Sequence, residues 1–421
     1  MNYKESVAYL FSAPRLTETA SQEPLRRLLA ALGDPQKGQK YIHITGTNGK
    51  GSCAAMLASV LRASKYRVGL FTSPHLYRVN ERLQINGREI GDEAFAALIS
   101  ELRAAAEKER LTLKFFELVT AAALLWFARE SCDVAVLEAG LGGASDATNV
   151  IDAPELAVIM NVGLDHTELL GDTVEAIAEE KAGIIKPGCD CVLYQQSESV
   201  TELVRARCEL MGARLHIPDF LSVGSEFDSV LGQSFTYKGE PYALPLPGDH
   251  QLRNAATVLE AAAALNGRGW KLRQGDIEHG LYAVSWPARM ELLRAEPPFL
   301  LDGAHNPQCA EALKNNLLRY FPDQKRVLLV GMLRDKDCVS TLSLLAEAAD
   351  EFVCIAPDSP RAMSAEELAE LLRPMGRPVT VSGSIREGIE LAAALAGEDG
   401  VVCAAGSLYS AGEIRYQFGM Y

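Results

Sequence analysis

Short apolar runs rich in β-branched residues alternate with longer stretches of helical period along most of this chain. Tyr41–Ile44, Arg67–Phe71, Val134–Leu137 and Leu156–Ile159 read as strands; Cys53–Ser64, Glu93–Arg110, Thr120–Glu130 and Val174–Ile184 read as helices. Strands separated by helices pair in parallel, which predicts an α/β sheet. Residues 190–250 differ: short runs, turn residues and prolines, as in Tyr242-Ala243-Leu244-Pro245-Leu246-Pro247-Gly248, predict a small antiparallel appendage before a helix Gln251–Asn266. A boundary falls between Trp286 and Pro298, and the alternation then restarts. Strands are expected at Phe299–Leu301, Arg326–Val330, Phe352–Ile355, Val379–Val381 and Val401–Ala404, with helices at Gln308–Tyr320, Cys338–Ala349, Ala365–Pro374 and Ile385–Ala396. That is a second α/β unit.

The first strand runs into Thr45-Gly46-Thr47-Asn48-Gly49-Lys50-Gly51-Ser52, and a helix follows. This is the setting of a phosphate loop. Glycines turn backbone N–H groups toward phosphate oxygens, the helix presents its positive end, and Lys50 reaches the terminal phosphates. The spacing departs from G-x-x-x-x-G-K-[ST]: three residues, not five, separate Gly46 from Lys50, and Gly51 precedes Ser52, a candidate Mg²⁺ ligand. The bland alternative is a glycine-rich turn with a surface lysine; ATP binding is the stronger reading. The expected fold class is therefore α/β: a P-loop parallel-sheet ATPase domain with a small antiparallel appendage (residues 1–290), followed by a Rossmann-like α/β C-terminal domain (residues 291–421).

Composition narrows the function further. Hydrophobic residues are 48% and charged residues 23% of the 421, an ordinary globular mixture. With 41 basic against 55 acidic residues the net charge is −14, which argues against a nucleic-acid-dependent ATPase and gives no reason to expect a membrane partner. A local basic cluster can still hold an anionic small molecule. No apolar run approaches the ~18 residues of a membrane-spanning helix, and Met1–Ser6 has no export pattern. The nine cysteines lie mostly in apolar stretches, as buried free thiols of a cytoplasmic protein would.

The loop variant Asn48-Gly49-Lys50-Gly51-Ser52 resembles that of the folylpolyglutamate synthase/dihydrofolate synthase family, relatives of the Mur ligases. Further segments resemble the family in order: Phe71–Leu76, Asn80-Glu81-Arg82, Phe115-Phe116-Glu117, Leu137–Gly143, Asp165–Gly171, Glu180–Ile184, His250-Gln251-Leu252 with Asn254, Asp302–Pro307 and Asp335-Lys336-Asp337. The resemblance runs from about residue 5 to residue 415 and implies a Mur-ligase-like ATP domain followed by a glutamate ligase domain.

Several residues acquire candidate roles from it. On the residues alone, Glu138 at a strand end is either a ligand carboxylate or a cap of the glycine turn, and His166 is more often a satisfied polar residue. The resemblance implies that Ser73, Glu138 and His166 hold Mg²⁺. Lys181, beside Glu179 and Glu180, reads alone as a solvated lysine; the resemblance implies a carbamylated lysine supporting a second Mg²⁺. Thr47, Asn48, Gly49, Lys50, Gly51 and Ser52, with Asn254, Arg289, Asp302 and His305, are the implied ATP contacts; a helix-capping turn is the alternative for Asp302–Asn306. Phe115, Phe116 and Glu117, with Asp146, are candidates to grip a pterin, although phenylalanines at this spacing are more often core.

The implied enzyme is a cytoplasmic, monomeric ATP- and Mg²⁺-dependent ligase. It joins L-glutamate to folate, and also to dihydropteroate, through an acyl phosphate, with Lys50, Glu138, His166 and Lys181 as catalytic residues. No nucleic acid or membrane partner is expected. Alternatives are a Mur-like ligase for another carboxylate and an ATP-binding regulatory protein. Two features depart from the family: Ala144-Ser145 replaces an arginine and a bulky residue, and Ala288 replaces a glycine before Arg289. Leu16–Leu25 also lacks a clear match to the loop that holds dihydropteroate in bifunctional members.

Overall fold

The computed structural model describes residues 1–14 and 21–420, so the first half of the expectation for Leu16–Leu25 falls outside the described residues. Eight strands form the first sheet: β1 (Tyr41–Thr45), β2 (Val68–Phe71), β3 (Leu83–Ile85), β4 (Arg88–Glu89), β5 (Val134–Glu138), β6 (Leu156–Ile159), β7 (Asp190–Leu193) and β8 (Leu215–His216). Their order is β4-β3-β2-β5-β1-β6-β7-β8, parallel from β2 to β8, with β3 and β4 an antiparallel edge. All five residues of β1 and of β5 are buried, because helices cover both faces. One face packs Ile42, Ile44 and Val136 against Met56, Leu57 and Val60 of the helix Lys50–Ala63. The other packs Ala135 and Leu137 against Val119, Ala122 and Ala123 of the helix Phe115–Arg129. Truncating a fully buried leucine such as Leu57 to alanine costs about 2–5 kcal/mol in a core of this kind.

The antiparallel appendage is smaller than the sequence pattern suggests. It comprises β9 (Val223–Ser229), β10 (Gly232–Tyr237) and β11 (Glu240–Leu244), whereas residues 190–216 extend the main sheet. The reason is burial: every residue of β7 is buried, and the helix Glu198–Met211 turns Val200, Val204 and Cys208 inward to cover it.

A six-stranded sheet follows: β12 (Glu291–Ala295), β13 (Pro298–Leu301), β14 (Arg326–Val330), β15 (Glu351–Cys354), β16 (Val379–Val381) and β17 (Val401–Ala405), in the order β12-β13-β17-β14-β15-β16. All but β12 are parallel; β12 pairs antiparallel to β13 and escapes a period-based reading because its residues alternate only weakly. Among the described residues, no helix is long and apolar enough to cross a membrane. The nine cysteines are free, and all except Cys309 are buried.

Candidate active site

The carboxyl ends of β1, β5 and β6 face the start of the second sheet across a cavity of about 1400 Å³. Ligands of open α/β sheets bind at such strand ends. The loop after β1 reaches the cavity because its glycines permit close approach. Gly46 (φ +148°) has Met160 where a Cβ would point, 2.6 Å away. Gly49 (φ +84°) opens the helix Lys50–Ala63, and its missing Cβ leaves room for Asn254 Oδ1. Gly51, the residue inserted relative to the usual loop, lies under the Trp286 indole: a Cβ there would be 2.8 Å from Cζ2.

Lys50 turns back on its own loop, donating to the carbonyls of Gly46 (2.8 Å) and Thr47 (3.0 Å). Desolvation of its ammonium lowers its pKa. The helix Asp249–Gly267 lies alongside, where Asn254 donates to Gln251 (3.1 Å) and Gln251 to the Ser52 hydroxyl (3.3 Å).

Glu138 ends β5, is buried, and accepts the Ser73 backbone N–H at 2.9 Å on Oε2. Burial raises its pKa, while Lys50 and that amide pull it back. His166 stands in the left-handed region (φ 52°) at the start of the helical turn Thr167–Leu170, a conformation uncommon outside glycine but one that histidine adopts more readily than most side chains. Its Nε2 lies 3.3 Å from the Lys336 ammonium, which also donates to Asp165 at 3.0 Å. Burial and Lys336 together lower the His166 pKa. Burial alone would raise the Asp165 carboxyl, but Lys336, His166 and His305 reverse this and hold it below the usual range.

Lys181 is 3% exposed, inside the helix Val174–Ala182. Desolvation, followed by repulsion from Lys50, brings its amine down to about 7. The solvated-lysine alternative therefore does not describe it. Gly143 packs against the Lys181 and Glu180 carbonyls, where a Cβ would be 2.8 and 2.9 Å away, and fixes that helix to the turn after Glu138. At the departing pair, Ala144 lies against Gly183, and the Ser145 hydroxyl donates to Glu180 Oε1 at 2.6 Å.

From the second sheet, Asp302 follows β13. Its Oδ1 accepts Ala304 N–H (2.8 Å) and its Oδ2 accepts Met290 N–H (2.9 Å), so it pins the turn, while Asn306 caps the helix Pro307–Tyr320. Burial raises the Asp302 pKa against the pull of Arg289. Gly303 leaves space for the Arg289 guanidinium: its Cβ would be 2.5 Å from Nη1. His305 Nδ1 is 2.8 Å from the Gly303 carbonyl, which assigns its proton to Nδ1 and leaves Nε2 a lone pair. Burial lowers this imidazole to about 4, so it is neutral at pH 7.

Asn48 adds contacts between the two sheets to those of Lys336: it donates to Gln308 Oε1 at 2.8 Å, and Asn306 donates to Asn48 Oδ1 at 3.0 Å.

Of the eighteen candidate residues, Thr47, Asn48, Gly49, Lys50, Gly51, Ser52, Ser73, Phe116, Glu117, Glu138, Asp146, His166, Lys181, Asn254, Arg289, Asp302 and His305 all line this one cavity. Phe115 does not. It begins the helix Phe115–Arg129, five residues earlier than the pattern suggests, and successive helical positions point about 100° apart. Phe116 faces Gly140, whose Cβ would be 2.6 Å from the ring, whereas Phe115 packs on Phe11 at 5.3 Å. Glu117 caps that helix by accepting Lys114 N–H at 2.7 Å. Asp146 accepts the backbone N–H groups of Leu141 and Thr148, both at 2.9 Å. Arg82, Lys336 and Gln308 also reach the cavity. Arg82 and Lys336 belong to the segments Asn80-Glu81-Arg82 and Asp335-Lys336-Asp337, and no spacing in the sequence carries across to the second sheet.

Among the described residues no three His, Cys, Asp or Glu side chains form a metal cluster. The Ser73 backbone N–H engages only Oε2 of Glu138, Ser73 lines the same cavity, and hard oxygen donors of this kind suit Mg²⁺ retaining several waters.

Known proteins resemble the chain over nearly its full length. The Mur ligase middle domain matches residues 44–262, and the Mur ligase, glutamate ligase domain, matches residues 288–408. Folylpolyglutamate synthase of Lacticaseibacillus casei is 39% identical, over 86% of this chain and 87% of that protein. Dihydrofolate synthase/folylpolyglutamate synthase of Bacillus subtilis is 34% identical, over 93% of each. The folylpolyglutamate synthase of Mycobacterium tuberculosis, solved with ADP and AMPPCP, superposes with a TM-score of 0.90 at 31% identity, covering 100% of this chain and 98% of that one.

Proposed function

We infer an ATP-dependent glutamyl ligase from one premise: the chain belongs to the folylpolyglutamate synthase/dihydrofolate synthase family of Mur-type ligases. The acceptor is a folate, and dihydropteroate as well, in keeping with the double name of the Bacillus subtilis relative. The acceptor carboxylate attacks the γ-phosphate of ATP, ADP leaves, and the amine of L-glutamate displaces phosphate from the acyl phosphate to form the amide.

The observation that carries this reading is the single cavity joining a phosphate loop to Arg289, Asp302 and His305. Catalysis there is mostly positioning and charge neutralisation. The amides of residues 47–52 and the Lys50 ammonium, released from its two carbonyls, hold the phosphates. Arg289 offers a fixed fork of donors to an anion. Asn254 and Asp302 contact the nucleotide, Asp302 through lone pairs left by its two amide partners. His305 is neutral and keeps Nε2 free to accept a hydrogen bond. Phe116, Glu117 and Asp146 form the acceptor end, with Phe116 offering the ring face.

Ser73, Glu138 and His166 would hold Mg²⁺, and Lys181 as a carbamate would hold a second; bound there, the metal neutralises phosphate charge. Lys336 must leave His166 Nε2 for that nitrogen to become a ligand. A buried amine titrating near 7 has the neutral form that reacts with CO₂.

Two units, 1–290 and 291–421, account for the arrangement, each with its own parallel sheet, and closure between them excludes water. In this reading the enzyme is a monomer, and nine free thiols fit the cytoplasm. An acceptor carrying ¹⁸O in its reacting carboxylate tests the mechanism. One ¹⁸O should appear in the released phosphate, and unlabelled phosphate contradicts an acyl phosphate.

A further inference from the structure

Arg82 closes the turn Val79–Arg82 before β3 and is 7% exposed, yet it lines the cavity. Its Nε donates to His75 Nδ1 at 2.7 Å, and the guanidinium lies 5.4 Å from the centroid of the Phe115 ring. Phe115 thus serves as the floor under an arginine rather than as a wall for the acceptor.

Among the described residues, no carboxylate forms an ion pair with Arg82, and its two terminal amino groups make no hydrogen bond. The neighbouring carboxylate is already taken: Glu81 accepts the backbone N–H groups of Leu76, Tyr77 and Arg78. Glu138 is committed on one oxygen to Ser73. Burial accordingly lowers the Arg82 pKa to about 10, with only partial relief from Tyr409, Glu138 and Glu81. A buried cation without a counter-ion is costly unless something supplies the anion. Two free N–H groups in a planar fork match one carboxylate.

We propose that Arg82 receives the non-reacting α-carboxylate of the acceptor's terminal glutamate. The proposal rests on the folate reading above, in which that residue carries two carboxylates and only one attacks phosphate. Position selects between them. The reacting carboxylate must lie with the phosphates, beside Lys50, Ser73 and Glu138. Arg82 lines the same cavity as those groups and as Phe116 and Glu117, and lies close enough to Glu138 to feel its charge, so the remaining carboxylate of a glutamyl tail can reach it. Two cations of the second unit that line the cavity are already paired, Arg361 with Asp335 at 3.0 Å and Lys336 with Asp165 at 3.0 Å. Dihydropteroate has no second carboxylate, so Arg82 is a specificity residue for folate acceptors.

The test compares tetrahydrofolate with its glutamyl α-amide as acceptors, in the wild type, R82Q and R82K, using initial rates of ADP release. Binding of an ATP analogue and the thermal midpoint verify folding, since Arg82 has no part in the nucleotide contacts. The wild type should prefer the acid over the amide by about tenfold to a hundredfold in kcat/KM, the range for a hydrogen-bonded charge pair. R82Q should treat the two alike, through a raised KM for the acid with kcat little changed. R82K, which keeps the charge without the fork, should fall between, and it reads the same ratio should R82Q not fold. An acid-over-amide preference that persists in the variants overturns the proposal, as does a wild type indifferent to the amide. A wild type silent with every folate would instead overturn the folate reading itself.

Discussion

The indole of Trp286 lies so close over Gly51 that a methyl group on Gly51 would sit 2.8 Å from Cζ2. The glycine inserted into the phosphate loop is therefore what lets the segment leading to Arg289 pack on the start of the loop helix. Gly51→Ala should push the two apart, a shift of the kind that costs about 1–3 kcal/mol in a packed interior. The expected result is ATP-analogue affinity weakened by about tenfold, measured by titration calorimetry, and partly recovered in the double variant with Trp286→Leu. Unchanged affinity in Gly51→Ala would mean that this contact does not shape the nucleotide site.

Lys181 should be modified. Its amine, held near 7 by desolvation and by Lys50, is neutral in a large fraction of molecules at pH 7.5, whereas an ordinary lysine is almost wholly charged. Protein equilibrated with ¹³C-bicarbonate should give a carbamate resonance that grows from pH 6 to pH 8 and is missing from Lys181→Met. Activity of that variant should fall by orders of magnitude with its thermal midpoint preserved. A resonance that persists in Lys181→Met would assign the modification elsewhere.

The ammonium of Lys336, 3.3 Å from His166 Nε2, opposes any second cation at that nitrogen. Lys336→Met should bind Mn²⁺ in the absence of nucleotide several-fold more tightly than wild type, as read by the loss of free-Mn²⁺ electron paramagnetic resonance signal. His166→Ala should remove the gain. Equal affinities in wild type and Lys336→Met would place the cation elsewhere in the cavity.

His43 lies in β1 away from the cavity, fully buried, with Nε2 2.7 Å from the Thr148 hydroxyl and no partner for Nδ1. Desolvation lowers it to about 3. Between its unfolded value near 6.5 and that figure, the unfolded chain binds a proton that the folded chain refuses. Stability therefore falls as pH drops through this window. The buried carboxyls Glu138, Asp146 and Asp302, raised by burial, act in the opposite direction over part of it, so the diagnostic is a difference between variants. His43→Gln should lose less stability than wild type from pH 6.5 to pH 4 in urea denaturation. Parallel curves would contradict a neutral buried His43.

Much of this was legible in the chain. Leu156–Ile159, Arg326–Val330, Val379–Val381 and Ile385–Ala396 have their expected boundaries because turn residues bracket strong apolar patterns. Phe115 points away from the cavity because the Lys114–Glu117 cap starts the helix there, which sets Phe115 about 100° round from Phe116. The strands β7 and β8 were lost among turn residues, since their signal is burial under a helix rather than alternation. For the site, the loop and Glu138 announce themselves by strand–turn context. Arg82 and Lys336 do not: what distinguishes them is a missing ion pair and a contact across sheets, neither of which is local in sequence.

Glutamyl ligation driven by ATP releases one ADP for each amide formed. Purified protein with Mg·ATP and L-glutamate would receive tetrahydrofolate in one sample and dihydropteroate in the other, with products identified by mass. ADP release is expected in both, each dependent on glutamate and matched by one added glutamyl residue. ATP bound without acceptor-dependent ADP release in either sample would contradict it.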